Sequence, residues 1–468
     1  MTGILHFILK RCIVSIGWRG EVLSLKFRAD VVVAGGGPAG ICAAIAAGRL
    51  GCNTLLIERY GFLGGMSTIA GVYPWMTFHT EQGRQVIYGI AQEIVDRLVE
   101  SGGSPGHLRD TIGFVHTVTP FDGEIFKLLV LDMLREAGVK VLLHSFVDEV
   151  AAVGNRIKSV RAATKGGKVD IAADMFVDAT GDADLAFLAG APVFKGRDSD
   201  QQMQPMTMKF RMRGVDTPAI KERILAEPEN FYPKTPIDEL HELPLTGIQG
   251  FYREWQQSGL PIKRDQVLLF VGPEHDEVLV NCTRVQGLDG TDVEDLTRAE
   301  EEGRRQVMMM ARFLKECIPG FEQAVISSVA PQIGIRETRR IDGLYSLGAE
   351  DVIEGRKFAD VIAKSGYPID IHDPSGAGVT AAWIKGDGAY DIPYRCLVPR
   401  GVDNLLAAGR CISTSHEALA TTRLTPSCMA TGQAAGTAAA LAFQAQVRPA
   451  EVDINELQQA LRRQNAYI

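Results

Sequence analysis

Asp370 and His372 stand two positions apart in an extended run, Tyr367-Pro368-Ile369-Asp370-Ile371-His372. Alternation along a strand puts both side chains on one face, where a carboxylate can orient an imidazole as acid or base. A structural turn network closing at Asp373-Pro374 is the competing reading. Upstream, Arg336, Arg339 and Arg340 crowd around Glu337 just after Gly334. One arginine is expected to face a pocket while the others brace a domain interface; the alternative is a solvated ion-pair face. Downstream, His416 and Arg423 share residues 413–426. Such a pair offers a proton shuttle and a planar cation for an anionic group, whereas the plain alternative pairs Arg423 with Glu417 and leaves His416 in solvent. Together these residues could move a proton beside a bound anion.

Elements able to hold a cofactor near them are legible from residue 30 onward. Residues 31–34 are an apolar strand, Gly35, Gly37 and Gly40 follow at the spacing G-x-G-x-x-G, and 41–50 continue as an alanine-rich helix. The first glycine permits a tight turn, the second lets backbone approach a pyrophosphate, and the third allows close helix–strand packing. A helix N-terminus adds amides and a favourable dipole. A second apolar strand at 55–57 ends in Glu58, placed to accept both hydroxyls of an adenosine ribose. This is a unit for binding a nucleotide diphosphate, and by itself it does not choose between NAD and FAD.

Four further segments favour FAD. Residues 61–68 place Leu63-Gly64-Gly65 directly after the acidic strand end; 177–184 run from strand into Thr180-Gly181-Asp182; 404–410 read as another buried strand ending at Gly409 and Arg410. Thr425 and Pro426 are expected as N-cap and first residue of a small-residue helix over 427–443, which could aim free amides at a flavin ring.

These segments, with Gly334-Ile335-Arg336-Glu337-Thr338-Arg339-Arg340, the run 367–372 and Ile392-Pro393-Tyr394-Arg395-Cys396-Leu397-Val398-Pro399, make the chain resemble the FAD-dependent oxidoreductases of the glutathione-reductase and fumarate-reductase-like superfamily. The resemblance covers residues 29–445. It implies an α/β fold: a Rossmann-like FAD-binding domain with a discontinuous, interleaved α+β substrate domain. It also implies noncovalently bound FAD held by Gly35, Gly37, Pro38, Ala39, Gly40, Glu58, Arg59, Gly64, Gly65, Met66, Ser67, Val147, Thr180, Gly181, Asp182, Gly409, Arg410, Thr425, Ser427 and Cys428. In fumarate-reductase-like relatives a histidine and an arginine in the stretch of His416 and Arg423 hold a substrate carboxylate. Here Glu417 and Leu424 stand where glycines normally adjoin them. His416, Arg423, His372 and Arg336 are therefore the catalytic candidates, Tyr394 and Arg395 are expected along the flavin's edge, and the implied activity is hydride transfer with a small, carboxylate-bearing substrate.

The 468 residues exceed one typical core, and 46% hydrophobic content with 49 glycines suits a glycine-turned α/β enzyme. The expected FAD-binding domain collects 29–75, 120–195 and 390–445; 76–119 and 196–389 form the substrate domain, 1–28 an N-terminal extension and 446–468 a C-terminal segment. A formal charge of -8 argues against nucleic acid as a partner. Eight cysteines without a C-x-x-C pair indicate no disulfide framework, iron–sulfur cluster or metal site, disfavour a thiol-redox centre of the disulfide-reductase kind, and suit a reducing cytoplasm. The apolar run 4–9 is interrupted by Lys10 and Arg11 and is too short to span a bilayer; it is expected to pack on the body or on another subunit, which leaves a homo-oligomer open. With one dinucleotide fold visible, electrons must pass to or from a separate partner: oxygen, a quinone or a carrier. The rival readings are a flavin electron-transfer subunit of a larger complex and an NAD-binding dehydrogenase. Among finer elements, helices are expected over 121–137 and from a Thr297/Glu300 capping box, with hairpins at 154–155 and 272–274.

Overall fold

Alternating apolar residues in the strand Lys26–Ala34 fix the first layer contacts. Val31 and Val33 pack under helices on one face of a sheet, and Val32 and Ala34 join a second core on the other, as in a parallel sheet covered on both sides. The computed structural model describes residues 26–468, so the expected packing of run 4–9 lies outside the described residues.

The main sheet is mixed. Lys140–Leu142, Thr54–Ile57, Lys26–Ala34 and Gly167–Asp178 run parallel in that order. Val33 lies beside Leu56 on one side and Val177 on the other. Leu405–Ala407 joins the last three residues of Gly167–Asp178 in parallel, with Ala407 opposite Asp178. The earlier part of Gly167–Asp178 pairs antiparallel with Arg156–Thr164, which turns back into Phe146–Val153. The hairpin at 154–155 therefore forms, and it closes the second face together with the short helix Asp184–Leu188. Ala34, Ile57, Asp178 and Ala407 all end at the same edge, where a doubly wound sheet places its ligand.

Helix Pro38–Arg49 follows the glycine turn, and its residues 39–47 are buried throughout. Its main partner is the helix Thr425–Ala445. The approach is so close that a Cβ on Gly432 would fall 2.1 Å from Ala39 O and one on Gly436 2.0 Å from Ala43 O. That helix begins one residue earlier than expected. Leu424 is its N-cap and has no side-chain bond, while Pro426 sits in the first turn; proline needs no N–H there, so the turn forms without a hydroxyl cap.

A separate five-stranded antiparallel sheet has the order Gly247–Gly250, Val267–Val271, Glu277–Val280, Phe210–Arg213, Val325–Val329. The helix Val293–Cys317 packs on it through Val307, Met310 and Leu314. Its cap differs from the expected one: Asp292 accepts from the N–H groups of Glu294 and Asp295 at 3.0 and 2.9 Å. Thr297 lies inside the helix, bonded back to Val293 O at 2.8 Å, and Glu300 accepts from Ile333 N at 2.8 Å. An ionised Asp at the cap satisfies two orphan amides, so the later Thr–Glu spacing is left for other partners. Phe270 and Leu279 point off the other face of this sheet into the core that Val31, Val33 and the helix Pro38–Arg49 also form.

Candidate functional site

One cleft of about 1690 Å³, counting the part open to solvent, runs along the strand ends and under the second sheet. Its dinucleotide end is built by the glycine turn. Gly35 has φ +101°, and a Cβ there would lie 2.4 Å from Ala179 O; a Cβ on Gly40 would lie 1.8 Å from Gly35 O. Gly37, by contrast, opens onto the cleft and meets only Gly65 at 3.7 Å. Glu58 is buried, and its carboxylate accepts from Gly36 N at 2.6 Å and Tyr60 N at 2.8 Å. Burial raises its proton affinity, opposed by those amides and Arg59. Each oxygen retains a lone pair, so a ribose diol could still be accepted. These features fit an adenine dinucleotide.

Of the expected cofactor residues, Gly35, Gly37, Pro38, Ala39, Glu58, Arg59, Gly65, Met66, Ser67, Val147, Thr180, Gly181, Gly409, Arg410, Thr425 and Cys428 line the cleft. Gly40, Gly64, Asp182 and Ser427 do not; they act behind its wall. The Asp182 carboxylate takes Arg410 and the Thr338 hydroxyl, the latter at 2.7 Å. Ser427 bonds Ser365 at 3.0 Å. Cys428 gives its thiol to Arg423 O at 3.3 Å, and burial pushes that thiol up to about 12, which makes it a poor nucleophile.

The other end of the cleft holds cations. Arg336, Arg423 and Lys209 all line it, and among the described residues none has a carboxylate within ion-pair distance. Arg336 donates to Pro205 O at 2.6 Å and Thr207 Oγ1 at 2.5 Å. Arg423 Nε is buried without a partner. Burial, with Arg423 next, holds the Arg336 guanidinium well below its ordinary value. The alternative pairing of Arg423 with Glu417 is not formed.

Asp370 and His372 come from the strand Ile369–His372, which pairs with Val379–Ala382. Both line the cleft, as alternation requires. His372 Nε2 stands 3.6 Å from Asp370 Oδ2, and Tyr367 donates its hydroxyl to the same oxygen at 3.1 Å. His372 Nδ1 is buried and has no hydrogen-bond partner. Burial, then Arg336, lowers His372 to about 3, so the ring is neutral at pH 7. Burial raises the Asp370 carboxyl, but His372, Arg423 and Arg336 outweigh it and keep the group ionised.

His416 is not brought to this cleft. It is buried at the start of the helix His416–Thr422, with Nδ1 2.8 Å from a Glu337 oxygen. Glu337 also binds Arg340, whose guanidinium reaches Thr414 O at 3.0 Å and Gly196 O at 2.9 Å. Arg339 pairs with Asp184. Arg339 and Arg340 are thus tied to distant parts of the chain, and of the three clustered arginines only Arg336 lines the cleft. Tyr394 and Arg395 also stand away from it: Tyr394 donates to Pro449 O at 2.8 Å, and Arg395 pairs with Asp360 at 2.9 Å. Both lie on the 3-10 turn Tyr394–Leu397.

Lys209, Asn281, Thr207 and Tyr367 line the cleft without having been singled out as site residues in the sequence. In Met206-Thr207-Met208-Lys209-Phe210-Arg211-Met212 the polar residues alternate with large apolar ones, which puts Lys209 off the core face but gives no sign that a cleft covers it.

Residues 30–461 match the FAD dependent oxidoreductase family. The chain is 46% identical over 52 residues, 11% of each chain, to dihydrolipoyl dehydrogenase of Vibrio parahaemolyticus. It is 28% identical over 177 residues, 35% of this chain and 58% of the other, to thiamine thiazole synthase of Aeropyrum pernix. It therefore spans a minor part of the first of these relatives and 58% of the second. Solved structures with a similar course include a geranylgeranyl bacteriochlorophyll reductase-like protein from Thermoplasma acidophilum, at 12% identity and TM-score 0.47 over 93% of this chain and 83% of that one. A p-nitrophenol 4-monooxygenase from Pseudomonas putida matches at 11% identity and TM-score 0.45 over 93% and 84%. Among the described residues no helix is long and apolar enough to cross a membrane.

Proposed function

The chain belongs to the FAD-dependent oxidoreductase family, and from that premise we propose that it acts on a small organic carboxylate held by Arg336 and Arg423 at the cationic end of the cleft. The cofactor of the family is FAD, which supplies two-electron hydride chemistry when bound. Gly35, Gly37, Glu58, Thr180 and Gly409 are the residues to hold its dinucleotide portion, and the first turn of Thr425–Ala445 is the place for a flavin edge.

The observation carrying the substrate class is the pair of arginines without carboxylate partners in a partly buried cleft. Buried cations are ordinarily paired, because desolvation costs several kcal/mol per ion. A cleft that leaves two guanidinium groups facing one ionised Asp370 is completed by an anion from outside. Two planar forks suit a carboxylate better than a point acceptor. His372, neutral with Nε2 towards Asp370, has Nδ1 left to accept a hydrogen bond from a hydroxyl or amine beside that carboxylate, and Tyr367 in turn holds Asp370. Electrons leave to, or come from, a separate partner, for which oxygen, a quinone or a carrier are the candidates.

Anaerobic mixing of the FAD-loaded protein with pairs of metabolites tests this. Hydroxy and amino acids should bleach the flavin absorbance, or, with prereduced protein, unsaturated acids should restore it, while the matching amides and esters should not. Equal rates for acid and ester would contradict the carboxylate reading.

A further inference from the structure

Strand alternation decides where Lys209 points. Met208, Phe210 and Met212 are buried in the core beneath Val293–Cys317, so Thr207, Lys209 and Arg211 lie on the opposite face. Thr207 and Lys209 line the cleft there. Lys209 is only 8% exposed, and among the described residues its Nζ has no hydrogen-bond or ion-pair partner.

The charged groups facing it from the neighbouring elements are Arg336 after Gly334, Arg423 after the helix His416–Thr422, and Arg211 two residues on; among the described residues no carboxylate acts on it. Arg211 is occupied elsewhere, 3.6 Å from Glu277 and over the Tyr73 ring at 4.7 Å. Asp370, the acid of the cationic end, is tied to His372 and Tyr367. Burial first, and then the three arginines, bring the amine down to about 7. It is charged below that pH and neutral above it. A group near the working pH can both take and give a proton, whereas His372 at about 3 is a weak base. An anion between the arginines would cancel their field and raise the amine's proton affinity again.

We propose that Lys209 is the acid–base residue of this cleft, taking up a proton as an anionic ligand settles between Arg336 and Arg423. The proposal rests on the carboxylate reading above, but the state of Lys209 in the free cleft can be measured without it.

The test uses FAD-loaded protein and malonate as the probe anion. Competitive acetylation of amines across a pH series, read by mass spectrometry, should give a reactivity midpoint for Lys209 at about 7, against about 10 for ordinary lysines. Malonate should raise that midpoint by roughly a unit or more. Calorimetry at about pH 8, in buffers of different ionisation heat, should show proton uptake on malonate binding. Lys209→Arg, which stays charged, should bind malonate without it, and Lys209→Met should lose the uptake with weaker binding. An unchanged flavin spectrum shows that each variant is folded. A free-state midpoint of about 10 overturns the proposal, as does a midpoint unmoved by malonate that calorimetry shows to be bound. If wild-type protein binds no malonate, the carboxylate reading falls instead. The free-state midpoint then decides alone: about 7 keeps Lys209 as the cleft's acid–base group, and about 10 removes it.

Discussion

Arg423→Lys is expected to keep FAD bound and the fold intact while slowing substrate-dependent flavin reduction ten- to hundredfold. The charge is retained, so the field on Lys209 and Asp370 changes little, but an ammonium cannot offer two parallel N–H groups to a carboxylate. Losing a hydrogen bond to a charged group costs roughly 1.5–3 kcal/mol, which is the stated factor. Among the described residues the Arg423 guanidinium makes no hydrogen bond or ion pair: its Nε is buried without a partner, and Cys428 bonds its main-chain oxygen. Stopped-flow reduction by a substrate found in the anaerobic panel reads the effect. An unchanged rate and substrate affinity would take Arg423 out of the site.

The second large effect is on the cofactor. Glu58→Ala removes the ribose acceptor and also frees Gly36 N and Tyr60 N, which the carboxylate now holds at 2.6 and 2.8 Å. FAD affinity is expected to fall about ten- to hundredfold. Glu58→Gln keeps a carbonyl oxygen but replaces an acceptor by a donor, so it should fall between wild type and the alanine variant. Titration of the apoprotein with FAD, followed by flavin fluorescence, measures both. Wild-type affinity in Glu58→Ala would show that the strand end does not carry the ribose.

The dinucleotide end was legible because its constraints are local. Gly40 is forced by its approach to Gly35 O within the same turn, Gly35 takes a positive φ there, Gly37 leaves the turn open to the cleft, and Glu58 follows the end of the next strand. The chain segments meeting there also carry their own glycine turns, so the shape of that half could be read piece by piece. The substrate end was legible only in part. Asp370 and His372 share a face because a strand has period two, and that much is in the sequence. The partner of His416 is Glu337, seventy-nine positions away; a local reading sees Glu417 and Arg423 instead. The three arginines 336, 339 and 340 are alike in sequence, and only the tertiary positions of Asp184 and Glu337 separate the two that brace the structure from the one that faces the cleft. Lys209 alternates with apolar residues as a solvent-facing lysine would; what encloses it is the cleft wall, with Arg336 and Arg423 brought in from distant parts of the chain. The misplaced helix starts have a simpler cause. Asp292 and Thr297 are both sound caps, and the choice between them depends on where the preceding loop releases the chain.

The most direct measurement is a crystal structure of the FAD-loaded protein with malonate. The expected result is the adenosine ribose at Glu58, the isoalloxazine beside the first turn of Thr425–Ala445, and a malonate carboxylate between the guanidinium groups of Arg336 and Arg423 with Lys209 and His372 at its edge. Malonate bound elsewhere, or a flavin whose ring lies away from Arg336 and Arg423, would contradict it.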